Sequence, residues 1–254
     1  MNVVRTYLNR KTVLLLLSFL LTGSVLITGG HITVYMIGDS TMADKPVADN
    51  PERGWGQVFP ALFDTSVTIE NHAKNGRSTR SFIAENRWQT VLDKLKPGDY
   101  VFIQFGHNDE KKESAERYTS PEDYRKSLIK FVEETRAVKA KPVLCTPIVR
   151  RRFDKDGKFY DEHGVYPGVV REVAETCNVP LVDMHRKSEK LVAGAGPEDS
   201  KKIYLWIGPG EYKSLPEGKQ DNTHFSEYGA ALMASLAAEG IRELKLDLAG
   251  RLKK

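Results

Sequence analysis

Residues 31–46 read HITVYMIGDSTMADKP. The segment 32–37 is short, apolar and rich in β-branched and aromatic residues, which predicts a buried strand. It stops abruptly on Gly38-Asp39-Ser40, and that ending decides how the rest is read. Four more runs of the same kind follow, at 67–71, 100–105, 142–146 and 180–183. Helical patterns separate them, at 55–63, 88–95 (stopped by Pro97-Gly98), 121–140, 169–177 and 226–244. The third of these opens with Ser120 as cap and Pro121 at the first helical position. Strands alternating with helices predict an α/β fold, a five-stranded parallel sheet covered on both faces. Ligands of such sheets bind beyond the carboxyl ends of the strands. Gly38-Asp39-Ser40, Asn75-Gly76-Arg77-Ser78 and Gly106-His107-Asn108-Asp109 come after the first three strands and should gather on one rim.

The chain has 254 residues, 40% apolar and 28% charged, which suits one soluble globular domain with a full core. Its first 28 residues read differently. Arg5, Arg10 and Lys11 come without an acid, then VLLLLSFLL at 13–21, then Thr22, Gly23 and Ser24. This is the order of a secretory signal peptide. An uncleaved N-terminal anchor is the alternative, but the apolar run is shorter than the ~20 residues a spanning helix needs. Residues 29–254 are then the exported body, periplasmic or secreted, with no stable membrane contact once the signal is removed. The formal charge of +4 includes the three leader cations, so the body is near neutral and no nucleic-acid partner is expected. The cluster Arg150, Arg151, Arg152, Lys155 and Lys158 is interleaved with Asp154 and Asp156 and reads as a solvated hairpin. Cys145 and Cys177 either pair or stay as separate thiols, and neither has a zinc-like neighbour. Nothing in the sequence demands more than a monomer.

A serine hydroxyl needs a base within hydrogen-bond reach, and the base needs an orienting partner. Of the six histidines, His224 has the right company, in QDNTHFSEYGA at 220–230. Asp221 stands three residues upstream, a spacing that lets a carboxylate meet the imidazole on a loop or helical turn. Acyl transfer also needs donors for the developing oxyanion. Gly76 allows close approach of a backbone N–H, Asn108 offers a side-chain amide, and the Ser40 N–H is a third donor. Taken singly, each has an ordinary structural reading: a capping histidine, a turn glycine, an Asx turn. Together they follow three successive strands and complement one another. Ser40 is expected to start a helix whose N-terminus favours the developing anion. Asp39 is expected to hydrogen-bond backbone near that turn.

This ordered set resembles the SGNH branch of the GDSL hydrolases. Gly38-Asp39-Ser40 corresponds to the nucleophile block, Gly76 in NHAKNGRSTRS to the glycine block, Asn108 in QFGHND to the asparagine block, and DNTHF with Asp221 and His224 to the last. The segments YMIGDSTMADK, FGHNDEK, RRRFDKDGKFYDEHGVYP and WIGPGEY…DNTHFSEYGA are similar to bacterial rhamnogalacturonan acetylesterases. The resemblance implies a flavodoxin-like three-layer α/β/α sandwich, a Ser40-His224-Asp221 triad, an oxyanion hole of Ser40, Gly76 and Asn108, and no metal or cofactor. It also implies acetylated pectic polysaccharide as substrate, with another acetylated sugar such as xylan as the alternative.

Beyond the triad and the oxyanion donors, His107, Arg77, Tyr166 and Trp206 are candidates for touching substrate, with Arg80 and His163 beside them. Arginines suit a uronate carboxylate, and aromatic faces suit sugar rings. Three rivals compete. A metallophosphoesterase suits GHND, but no D-x-H segment and no paired histidine motif accompany it. A lipid or thioester hydrolase would want apolar loops, whereas these are polar. A non-catalytic sugar-binding protein has no use for a full triad. No G-x-S-x-G elbow marks an α/β-hydrolase.

Overall fold

The computed structural model describes residues 30 to 253, so the leader read at 1–28 lies outside the described residues. In chain order the elements are β1 (Ile32–Gly38), β2 (Glu52–Arg53), α1 (Trp55–Val58), β3 (Val67–Asn71), α2 (Thr79–Ala84), α3 (Arg87–Leu92), β4 (Tyr100–Gln104), α4 (Pro121–Ala137), β5 (Lys141–Cys145), α5 (Tyr166–Thr176), β6 (Leu181–Val182), α6 (Met184–Asp199), β7 (Tyr204–Ile207), β8 (Lys219–Ser226) and α7 (Glu227–Glu243). The five apolar runs become one parallel sheet in the order β3-β1-β4-β5-β6.

The period-two alternation of each strand divides the core in two. Val34, Met36, Phe102, Val143 and Cys145 face one cluster, which α1, α6 and α7 complete through Trp55, Met184 and the alanine-rich face around Ala234 and Ala237. Tyr35, Ile37, Val101, Ile103 and Leu144 face the other, closed by Phe82, Trp88, Phe131 and Val170 from α2 to α5. The result is the expected three-layer α/β/α sandwich. Cys145 and Cys177 are separate thiols.

A second sheet, antiparallel and ordered β2-β8-β7, was not foreseeable from apolar runs. β8 reads KQDNTHFS, and only its Phe225 is fully buried. Two helices also escape the pattern. α2 has six residues and is fixed by a Ser78/Ser81 capping box. α6 is polar and is broken at Gly196-Pro197.

Ser40 does not start a helix. It sits in a single turn in which Met42 N–H and Ala43 N–H both donate to the Asp39 carbonyl (3.3 and 3.1 Å). The carbonyls of Thr41 and Met42, which a continuing helix would use, accept instead from Trp55 N–H (2.9 Å) and Gly56 N–H (3.2 Å) of α1. The helix-dipole contribution expected at the serine is therefore absent. Docking α1 this closely needs Gly54. Its φ of −85° suits any residue, but a Cβ there would lie 2.1 Å from the Ala43 carbonyl oxygen. Gly54→Ala is predicted to cost about 1–3 kcal/mol or more, as overpacking against backbone does. A lowered urea midpoint together with reduced esterase turnover would show that this glycine seats the serine turn; an unchanged midpoint would not fit.

Candidate active site

Beneath Ser40 lies a buried polar chain. Trp55 Nε1–H donates to Gln104 Oε1 (2.7 Å), Gln104 Nε2–H to Thr41 Oγ1 (2.7 Å), and Thr41 Oγ1–H to Asp39 Oδ1 (2.8 Å). Thr41 N–H also donates to Asp39 Oδ1 (3.0 Å), and His107 Nδ1–H donates to Oδ2 (3.2 Å). Asp39 has no solvent exposure. Burial alone would raise its pKa, but the His107 and Thr41 donors outweigh it and hold the carboxyl down at about 2. The turn that carries Ser40 is thus pinned by a buried anion whose oxygens are satisfied, and the Thr41 amide contact is the backbone bond expected of Asp39.

His224 Nε2 lies 2.8 Å from Ser40 Oγ, and His224 Nδ1 lies 2.8 Å from Asp221 Oδ2. With Nδ1–H donated to the carboxylate, Nε2 presents its lone pair to the serine hydroxyl. His224 comes from the second sheet by way of a bulge. Tyr204 pairs with Phe225 but the next residue, Leu205, pairs with Asp221, so residues 222–224 are pushed out of β8. Asp221 Oδ1 closes the bulge by accepting from Thr223 N–H (2.8 Å) and His224 N–H (3.0 Å). Burial opposes charge on Asp221, but the bond to His224, the charge of its imidazole and these two amides prevail, keeping the carboxyl well below the usual range. Arg151 clamps the bulge from below: its N–H donates to the Asn222 carbonyl (2.8 Å) and its guanidinium to Asn222 Oδ1 (3.0 Å). Arg151 is buried, so only part of its cluster is the solvated hairpin expected.

Ser40, His107, Asn108, Asp221 and His224 share a cleft of about 640 Å³. Asn108 spends one amide hydrogen on the Arg77 carbonyl (3.1 Å), which leaves the second free. Gly76 holds the third position of a turn closed by Arg77 N–H on the Lys74 carbonyl (3.2 Å), where its φ of +76° favours glycine. Lys74 N–H joins that turn to the Gly38 carbonyl at the end of β1 (3.0 Å). Asp109 ties the two loops together, accepting from Thr79 N–H (2.9 Å) and Thr79 Oγ1–H (2.6 Å). Burial raises its carboxyl to about 7.

The chain matches the GDSL-like lipase/acylhydrolase family over residues 36–232. It belongs to that family. It is accordingly an enzyme, a carboxylic ester hydrolase. Over 217 residues it is 43% identical to the Bacillus subtilis (strain 168) rhamnogalacturonan acetylesterase RhgT, covering 85% of this chain and 92% of RhgT. The probable rhamnogalacturonan acetylesterase YesY of the same organism is 36% identical, with coverages of 85% and 94%. Among solved structures, Bacillus subtilis YxiM superposes with a TM-score of 0.71 at 24% identity, over 86% of this chain and 58% of that one. The chain thus spans little more than half of YxiM. The Geobacillus stearothermophilus acetylxylan esterase Axe2 gives 0.61 at 19% identity, over 87% and 97%. Both share the fold.

Three candidate substrate contacts stand elsewhere. Tyr166 is buried, and its hydroxyl donates to the carbonyls of Thr119 (2.7 Å) and Asp109 (3.2 Å), so it locks the loop after β4. Arg77 is bound to Glu85 (3.0 Å) and to the Asn75 carbonyl (2.9 Å), and lines a different groove with Gly76. Trp206 donates to Asn222 Oδ1 (2.9 Å), and its ring is taken up by the Arg151 and Lys201 cations at 4.7 and 4.8 Å. It supports the bulge. His163 is buried against Glu110 and the Ile148 carbonyl (both 2.8 Å). The cleft's remaining walls are Glu110, Lys111, Glu113, Arg150, Arg152, Glu162 and Thr223. The sequence marks none of these as site residues: Arg150 and Arg152 read as part of a solvated hairpin, and Glu110 meets its partners Arg150 and His163 only 40 and 53 residues further along the chain.

Of the candidate substrate contacts, only His107 lines the cleft. Burial lowers its pKa to about 4 despite the nearby Asp39 charge, so at neutral pH it is an uncharged donor. A histidine whose folded pKa lies below its ordinary 6.5 adds stability above pH 6.5, and that stability is lost as pH falls toward 4. Asp109 runs oppositely, since its raised carboxyl contributes stability that is lost as pH rises through 7. His107→Leu strips one donor from a buried carboxylate and is predicted to cost about 2 kcal/mol at pH 7.5. That cost should shrink at pH 4.5 in denaturant titrations; a penalty that grows on acidification would contradict the assignment.

Proposed function

We propose that the protein is a serine esterase that removes acetyl groups from pectic polysaccharide of the rhamnogalacturonan type. The observation that carries the chemistry is the hydrogen-bonded line from Asp221 through His224 to Ser40, both contacts at 2.8 Å. The substrate class rests on the 43% identity to RhgT along nearly the whole of both folded bodies. The leader of basic then apolar residues suits an exported enzyme, which meets polymer outside the cell.

In this mechanism Ser40 Oγ attacks the acetyl carbonyl carbon while its proton passes to His224 Nε2. The carbonyl π pair becomes an oxyanion, received by the Ser40 N–H, the free Asn108 amide hydrogen and the Gly76 N–H. The Gly76 turn is bonded to the end of β1, which supports its place beside the serine. Collapse of the tetrahedral adduct breaks the bond to the sugar oxygen, which takes the proton from His224 and leaves. Water then gives a proton to His224 and attacks the acetyl-serine, and breaking of the ester returns the proton to Ser40 and frees acetate. Asp221 stays ionised throughout and stabilises the transient imidazolium.

Ser40→Ala is predicted to abolish acetate release, and Asn108→Ala to lower turnover on the order of 10²–10³-fold. The assay measures acetate from acetylated rhamnogalacturonan beside acetylated xylan. Pectic preference lost in Ser40→Ala agrees with the proposal. Higher activity on xylan keeps the triad and overturns the pectic substrate, whereas activity persisting in the serine variant overturns the mechanism.

A further inference from the structure

Three cations line the catalytic cleft, and two of them are already engaged. Arg150 is bonded to Glu110 and reaches the His107 carbonyl at 3.3 Å. Arg152 donates Nε–H to Glu162 at 2.6 Å. Lys111 differs: among the described residues no carboxylate lies within ion-pair distance of its ammonium. Glu113, exposed at the outer rim, does not reach it.

Lys111 is also carried by a fixed backbone. Its N–H donates to the Asn108 carbonyl (3.2 Å), and its carbonyl accepts from Ser114 N–H (3.0 Å). The base of this loop is held by Glu110, which bridges Arg150 and His163. Lys111 therefore stands one turn beyond Asn108 in the same cleft, half-buried and without a counter-ion. Partial burial costs an ammonium hydration, and an arriving anion restores the balance. The acetyl group is neutral, so the anion must belong to another part of the substrate. On a pectic sugar the available anion is the uronate carboxylate.

We propose that Lys111 binds the carboxylate of the acetylated uronic-acid unit and so selects acidic over neutral acetylated sugars. This assignment rests on the pectic-ester reading above. It replaces Arg77, which Glu85 already neutralises.

The test compares acetate release from acetylated rhamnogalacturonan oligosaccharides with release from the same material after methyl-esterification of its carboxylates. The readout is the ratio of KM for the two forms, with acetylated xylan in parallel. Wild type should show a lower KM for the acid form at low salt. Lys111→Gln should raise KM for that form about tenfold, the factor that ~1.4 kcal/mol corresponds to, and bring the ratio close to one. Lys111→Arg should keep most of the preference. A wild type without preference, or a Lys111→Gln variant with the wild-type ratio, overturns the assignment while the pectic reading stands. Activity on xylan with none on either pectic form overturns both.

Discussion

The position of Ser40 depends on a carboxylate that water does not reach. Asp39 is ionised with no exposure, and a buried anion is tolerated only when its oxygens are met by donors. Thr41 supplies two and His107 one, and Thr41 is itself held by Gln104, as Gln104 is by Trp55. These residues come from the turn after β1, the end of β4, the loop beyond it and α1. One charge thereby makes four pieces of chain agree on where Ser40 sits. A serine on a free turn would lose the alignment that its 2.8 Å contact with His224 requires.

The base arrives by different physics. Ser40 belongs to the parallel sheet and His224 to the small antiparallel one. Their relation is set by β2, whose Glu52 and Arg53 pair with Ser226 and Phe225, and by α1, whose amides hold the serine turn. The bulge in β8 then aims the imidazole. Asp221 has a double duty, closing the bulge with one oxygen and orienting the ring with the other.

The middle of the parallel sheet was legible because its central strands are buried on both faces and so read as apolar runs, as 32–37 and 100–105 do. The residues after those strands were legible for the related reason that polar groups follow where such strands end. β8 was not, because a strand that must present Asp221 and His224 cannot also alternate. The turn at Ser40 was mistaken for a helix start because competition for the carbonyls of Thr41 and Met42 comes from α1, which local pattern does not reveal. Tyr166, Arg77 and Trp206 were placed at the site by residue type. Each is occupied by a partner within the fold, Thr119, Glu85 and Asn222 respectively, which lie 47, 8 and 16 residues away in sequence.

Ser40 and His224, in contact at 2.8 Å, are separated by 184 residues, and the histidine lies on β8. All five strands of the parallel sheet precede it, so a chain emerging N-terminus first builds the Ser40 turn long before His224. Until β8 pairs with β2 and β7, Ser40 has no proton acceptor from the triad. On the mechanism proposed above, catalytic competence is therefore a late event in the life of each chain, coincident with closure of the smaller sheet, and a C-terminal truncation before residue 224 leaves Ser40 without its 2.8 Å partner.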